Sequence, residues 1–224
     1  MGIKENIALL RKEIPQFVKI VAVSKTMPAA VIKEAYNAGH LAFGENRVQE
    51  ITEKQQLLPS DIEWHLIGHL QTNKVKYVVP FVQVIHSADS LKLLSEINRE
   101  AAKAKRKIDC LLQMRIAREE TKFGLSFTEA AQILSSDECD DFQHIRITGL
   151  MGMATYTENT KLIKEEFSQL ARYFNEMKAK WFSNISSFKE LSMGMSGDYK
   201  LAIEAGSTMV RIGSLIFGER NYNK

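Results

Sequence analysis

The sequence predicts a single α/β domain folded as a (β/α)8 TIM barrel with an extra N-terminal helix, and three observations carry that prediction. Apolar, β-rich runs of about four to eight residues alternate with amphipathic helical stretches along the whole chain, the rhythm of a parallel sheet joined by crossover helices. There are eight such runs, enough for a sheet to close on itself. The turn after the first run, Ser24-Lys25-Thr26-Met27-Pro28, holds no glycine, unlike the Gly-rich first turn of a dinucleotide-binding open sheet.

The chain begins with a helical pattern over 1–17, whose apolar residues Ile7, Leu9, Leu10 and Ile14 suit it to cover the open bottom of the barrel. The first strand follows at 18–24 and a helix at 28–38. The second strand, 41–44, is short, and Asn46 stands where a cap for the helix over 47–57 is needed. Strand 63–68 precedes a helix over 73–78, strand 82–87 a helix over 90–105, and strand 107–114 a helix over 127–134. Strand 145–153 leads to the long helix 161–180, the short strand 190–193 to a helix over 199–205, and strand 208–213 completes the set. Each helix separates two strands by a crossover of suitable length. No linker, repeat or low-complexity tract interrupts this order, so residues 1–224 are read as one domain.

Composition excludes several classes of function. Hydrophobic residues make up 45% and charged residues 25%, the balance of a globular chain with a sizeable core. Thirty basic against twenty-seven acidic residues give +3, and the lysines lie among glutamates on helical faces rather than in one basic stripe, so no nucleic acid partner is expected. The N-terminus lacks an apolar leader, Asn6 replaces the Ser or Thr of a myristoylation start, and no window approaches the roughly 18 apolar residues of a membrane span. A cytoplasmic protein is expected. Cys110 and Cys139 are read as free thiols of a reducing compartment.

Barrel active sites lie at the C-terminal ends of the strands, so residues ending each strand carry the functional reading. Lys25 follows Val21-Ala22-Val23-Ser24 and shares a face with Val21 and Val23. If that face is the interior, burial favours the uncharged amine, the form that attacks an aldehyde. The alternative is a lysine that ends a strand and extends into solvent.

The last two strands run into Met193-Gly194-Met195-Ser196-Gly197-Asp198 and Arg211-Ile212-Gly213-Ser214. These are the two loops where barrels often bind phosphate. Glycines let backbone N–H groups close on an anion, Ser196 and Ser214 supply hydroxyls, and Ser196 stands where the helix near Asp198 needs a cap. Such turns also occur with no ligand at all. Closure pairs strand 8 with strand 1 and brings Arg211 near Lys25. There it either helps keep the lysine uncharged and donates to a ring nitrogen, or forms an interior ion pair with an acid such as Glu45. Glu45 and Asn46 are both expected at the same mouth.

His65 and His69 have the i, i+4 spacing of a metal pair, but they straddle Gly68 in a strand-to-loop transition and no Glu follows His65, so no metal is expected. His65, Gly68 and Gln71 either border a ligand or serve packing and loop structure. Met151 and Met153 read as core.

Taken together, these residues resemble the family of pyridoxal-phosphate homeostasis proteins related to the N-terminal barrel of bacterial alanine racemase. The matching stretches are Val21-Ala22-Val23-Ser24-Lys25, Phe43-Gly44-Glu45-Asn46-Arg47-Val48-Gln49-Glu50 and His65-Leu66-Ile67-Gly68-His69-Leu70-Gln71-Thr72-Asn73-Lys74. Gly149-Leu150-Met151, the run from Leu191 to Asp198, Val210-Arg211-Ile212-Gly213-Ser214 and Ile216-Phe217-Gly218 extend the match, which spans Val21 to Arg220 in family order.

The resemblance implies that Lys25 holds pyridoxal 5′-phosphate as a Schiff base, that Arg211 contacts the pyridine nitrogen, and that Ser196, Gly213 and Ser214 surround the phosphate. Asn46 and Ser192 are implied as further lining residues. It also implies a role in controlling the supply of the cofactor and the balance of amino and keto acids, without established turnover, with apo-enzymes that use pyridoxal phosphate as recipients.

Two enzyme readings stand beside this carrier. An amino-acid racemase needs a base on each face of the bound cofactor, and in alanine racemases the second is a tyrosine from an additional β domain. The chain ends at Lys224 without such a domain, which weighs against racemisation and favours a monomer. An arginine at the ring nitrogen keeps that nitrogen unprotonated, which weighs the same way. A Schiff-base aldolase acting on a sugar phosphate also fits a lysine beside phosphate loops, and only the full motif set argues against it.

Overall fold

A computed structural model describes residues 2–118 and 123–219 of the chain. Met1, Arg220 and Lys224, which belong to the readings above, lie outside the described residues.

The elements run α1 (Ile3–Glu13), β1 (Lys19–Val23), α2 (Ala29–Asn37), β2 (Ala42–Glu45), α3 (Val48–Leu57), β3 (Glu63–Leu66), a 3-10 turn (Thr72–Lys74) leading into α4 (Val75–Val78), and β4 (Val84–Ala88). They continue through α5 (Leu91–Lys103), β5 (Ile108–Met114), α6 (Phe127–Leu134), α7 (Asp137–Asp140), β6 (Ile145–Gly152), α8 (Thr160–Trp181), β7 (Glu190–Met195), α9 (Tyr199–Glu204), β8 (Met209–Ile212) and α10 (Ser214–Phe217). All eight expected strands form. They pair in parallel in chain order, and β8 closes on β1 with Val21 opposite Arg211.

Strand alternation divides the barrel into two environments. Ala22, Phe43, Leu66, Ile85, Leu112 and Ile212 face outward and join the helices in the main apolar core, with Ile32 of α2, Ile51 of α3 and Leu94 of α5. The opposite face points into the barrel and is more polar. His65, His86, Ser192 and Arg211 are all buried there, and the Gly44 position in β2 abuts the side chains of Val21 and Ile67.

The leading helix is present and packs on the neighbouring helices α2 and α10, and Asn6 Nδ2 donates to the Ile216 carbonyl at 3.0 Å. With α10 only one turn long, the seam between β8 and β1 lacks a full covering helix. Ile7 and Leu10 are the buried residues of α1.

Strand β7 extends two residues beyond the expected 190–193. Its continuation passes through Gly194 at φ +96, where a side chain would stand 2.6 Å from Ala202 Cβ. Only glycine lets the strand continue there under α9.

Candidate functional site

A cavity of about 820 Å³ opens at the C-terminal ends of the strands. Lys25, Asn46, Ser196, Arg211, Gly213 and Ser214, six of the seven residues implied by the resemblance, line it. Lys25 leaves the end of β1 on the interior face, as its alternation with Val21 and Val23 requires. It is half-buried rather than sealed, because it stands at the mouth, where the barrel opens.

Arg211 is the buried cation of the site. It is 4% exposed, and its Nη1 donates to the Ser192 carbonyl at 2.8 Å and the Ser192 hydroxyl at 2.7 Å, while Nη2 donates to the Gly152 carbonyl at 3.0 Å. Burial pulls its pKa down to about 10 against the pull of Asp198, so it stays charged at neutral pH. The interior ion pair with Glu45 does not form. Glu45 follows Gly44, so alternation turns its side chain to the outer face, where it meets Lys54 of α3 at 2.8 Å. Burial pushes the Glu45 carboxyl up, while Lys54 and Ser24 pull it down.

Ser192, the seventh implied residue, does not line the cavity. It is fully buried beneath Arg211 and continues inward as a polar chain. His86 Nδ1 lies 3.2 Å from Ser192 Oγ, and His86 Nε2 lies 2.8 Å from His65 Nδ1. Arginine only donates, so Ser192 Oγ accepts from it and can pass its own proton toward His86. Burial holds His65 down to about 3 and His86 well below its usual value, so both rings are neutral.

Two capping expectations are overturned. The residue preceding α3 is Arg47, with no side-chain cap, so Asn46 is left to face the cavity. Ser196 does not cap α9 either. Its Oγ accepts from the Gly213 N–H at 3.3 Å and links the turn after β7 to the turn after β8. The Asp198 carboxylate instead accepts from the Met195 N–H at 2.5 Å and folds the first turn on itself.

The histidine pair is also separated. His65 points into the barrel, while His69 lies at the cavity, stacked on Phe123 at 4.5 Å and 3.3 Å from Asp89. Among the described residues no group of three or more His, Cys, Asp or Glu side chains gathers as a metal would need. Gly68 lines the cavity and Gln71 does not; Met151 is core, whereas Met153 is a lining residue.

Sequence reasoning passed over Gln113, Phe123, Thr155 and Tyr156, which line the cavity. Gln113, near the end of β5, could have been found by the strand-end rule. Phe123 lies outside any helix or strand and carried no such signal.

The donor set suits a phosphorylated aldehyde. One amine and one permanent cation share a cavity with two linked Gly-Ser turns, and a Cβ built on Gly197 would find no atom within 4 Å.

The sequence profile of the family described as "Alanine racemase, N-terminal domain" matches residues 2–221. The chain is 40% identical to the pyridoxal phosphate homeostasis protein of Aquifex aeolicus over 91% of this chain and 88% of that one. Identity to the protein of the same name from Pasteurella multocida is 35%, with both chains fully covered. Among solved structures, PipY of Synechococcus elongatus with PLP bound superposes with a TM-score of 0.88 at 36% identity, over 97% of this chain and 100% of that one. Alanine racemase of Clostridium difficile superposes with a TM-score of 0.77 at 16% identity, over 99% of this chain and 61% of the racemase, which is a likeness of fold. The chain belongs to the pyridoxal phosphate homeostasis protein family, built on the alanine racemase N-terminal barrel.

Proposed function

We propose that this chain binds pyridoxal 5′-phosphate at the mouth of its barrel, with the aldehyde held as a Schiff base on Lys25, and takes part in intracellular homeostasis of that cofactor. The observation that carries this reading is the convergence of Lys25, Arg211 and the two linked turns at Ser196 and Gly213-Ser214 on one cavity. When bound, the cofactor supplies a carbonyl that reacts with amines, an electron-poor ring and a phosphate. Lys25 offers the amine. Arg211, fixed by three hydrogen bonds, directs its positive charge toward the ring nitrogen. Ser196, Gly213 and Ser214 supply hydroxyl and backbone donors to the phosphate, and Asn46 borders the ring. Ser192 acts one step back, holding Arg211 in place.

The functional unit is the one barrel domain, 1–224, acting as a cytoplasmic monomer that exchanges cofactor with apo-enzymes. Support for the compartment comes from the free thiols Cys110 and Cys139. No described helix is long and apolar enough to cross a membrane. A carrier is favoured over a racemase or an aldolase because the relatives that match at 35 to 40% identity are named as homeostasis proteins, whereas likeness to racemases is one of fold.

The test is direct. Purified protein loaded with pyridoxal phosphate is expected to be yellow, and borohydride reduction followed by peptide mapping is expected to find the label on Lys25. A Lys25→Ala protein is expected to lose both colour and label. A colourless wild type that takes up no added cofactor refutes the proposal.

A further inference from the structure

Lys25 is held from behind by a buried ionic cluster on the outer side of the barrel wall. Ser24 and Thr26 flank it in sequence, and each is tied to a different part of one three-residue cluster, Ser24 to Glu45 and Lys54 and Thr26 to Glu50. Ser24 Oγ donates to Glu45 Oε1 at 2.6 Å, and the Ser24 carbonyl accepts from Lys54 Nζ at 2.8 Å. The Thr26 N–H donates to Glu50 Oε1 at 2.5 Å. Lys54 Nζ also reaches Glu45 Oε1 at 2.8 Å and Glu50 Oε1 at 2.6 Å. The three donors of one ammonium are therefore matched by three acceptors, one of them the backbone next to Lys25.

Two features mark this cluster as more than a surface ion pair. Its side chains are withdrawn from water, Glu45 at 0% and Lys54 at 8% exposure with Glu50 at 22%, and a buried ion pair of this kind is seldom a net source of stability. Thr26 has φ +68, a left-handed conformation that a β-branched residue adopts only when its surroundings impose it. The bond from Thr26 to Glu50 is one such imposition. Strained backbone directly after the lysine fixes the direction in which strand β1 ends, and with it the path of the Lys25 side chain.

We propose that Glu45, Glu50 and Lys54 are positioning residues for Lys25, acting through the backbone of residues 24–26 to hold its amine where it condenses with the aldehyde. The inference rests on the reading of Lys25 given above. In that condensation the amine nitrogen bonds to the carbonyl carbon and the carbonyl oxygen leaves as water. Pyridoxine 5′-phosphate, which carries an alcohol in place of the aldehyde, has no such step and depends on ring and phosphate contacts alone.

The experiment compares these two ligands on full-length wild type, Lys54→Met and Glu50→Ala, by equilibrium titration, visible absorbance and the fraction of protein labelled by borohydride. Both variants are expected to weaken pyridoxal phosphate binding at least tenfold and lower the labelled fraction, with pyridoxine phosphate affinity changed by less than twofold. Equal loss of both ligands, or loss of neither, overturns the proposal. Should Lys54→Met fail to fold, Glu50→Ala, at a partly exposed position, decides alone. A wild type that is not labelled at Lys25 refutes the parent reading, whereas a labelled wild type with equally labelled variants refutes only this one.

Discussion

One nitrogen of Arg211 donates to both the hydroxyl and the carbonyl of Ser192, at 2.7 and 2.8 Å, so the orientation of the buried guanidinium is set by a residue that never reaches the cavity. The same hydroxyl lies 3.2 Å from His86. Position and charge at the cavity are thus supported from inside the barrel.

Replacing Ser192 by alanine leaves both an Arg211 donor and His86 Nδ1 without that partner. A buried polar group deprived of its hydrogen bond costs about 1–3 kcal/mol, so Ser192→Ala is expected to unfold at correspondingly lower urea concentration. Pyridoxal phosphate affinity is expected to fall about three- to tenfold, with the visible band displaced, because Arg211 loses its aim but keeps its charge. Urea denaturation together with an absorbance titration measures both effects. An unchanged spectrum and affinity would show that Arg211 needs no such support.

Much of this was legible in the sequence because strand position is periodic and local. Alternation from Val21 places Lys25 inward, and closure of eight strands places Arg211 beside β1. The same rule, applied one residue further in β2, would have turned Glu45 outward and removed it as a partner for Arg211. What stayed hidden depends on long-range packing. Ser192 and His86 are 106 positions apart in the chain, and nothing near either signals their contact. Helices α7 and α10 are each four residues long, too short to show a helical period.

Gly68 tests how closely β3 must approach β2 at the cavity. A Cβ there would stand 2.4 Å from the Asn46 carbonyl oxygen and 2.8 Å from its Cα, backbone atoms that cannot move aside cheaply. Gly68→Ala is expected to cost about 1–3 kcal/mol, the usual range for overpacking. Because Asn46 lines the cavity, cofactor affinity is expected to fall as well. Gly197→Ala is the control for stability, since its Cβ meets nothing within 4 Å, and its melting temperature is expected to match wild type.

The linked turns predict discrimination between phosphorylated and unphosphorylated ligands. Ser196 and Ser214 together offer two hydroxyls, and a hydrogen bond to a charged group contributes about 1.5–3 kcal/mol. The double variant Ser196→Ala, Ser214→Ala is expected to bind pyridoxal phosphate at least tenfold more weakly while its affinity for pyridoxal stays within twofold of wild type. Titration with the two aldehydes checks this. A parallel loss for both would mean that the turns act on the ring or on the fold instead of the phosphate.

Stability is expected to fall on mild acidification because imidazoles are buried uncharged. Burial lowers His40 from 6.5 to about 4 and His65 to about 3, and His86 moves in the same direction. Below pH 6.5 the unfolded chain takes up protons on these rings while the folded chain does not, so unfolding gains from each unit of acidification. That gain is present down to the folded values near 4 and 3 and absent above 6.5. Each ring contributes about 0.7 kcal/mol per pH unit at pH 6.5, rising toward about 1.4 kcal/mol per unit below it, so the three together contribute about 3 kcal/mol between pH 6.5 and 5.5. Most carboxylates titrate lower, so the imidazoles dominate the slope of urea melts across this interval. His40, which bonds the Ala42 carbonyl at 3.0 Å away from the cavity, is the residue to change. His40→Gln is expected to remove about a third of the pH slope without altering cofactor binding. A slope identical to wild type would mean that the His40 ring already takes up its proton in the folded state.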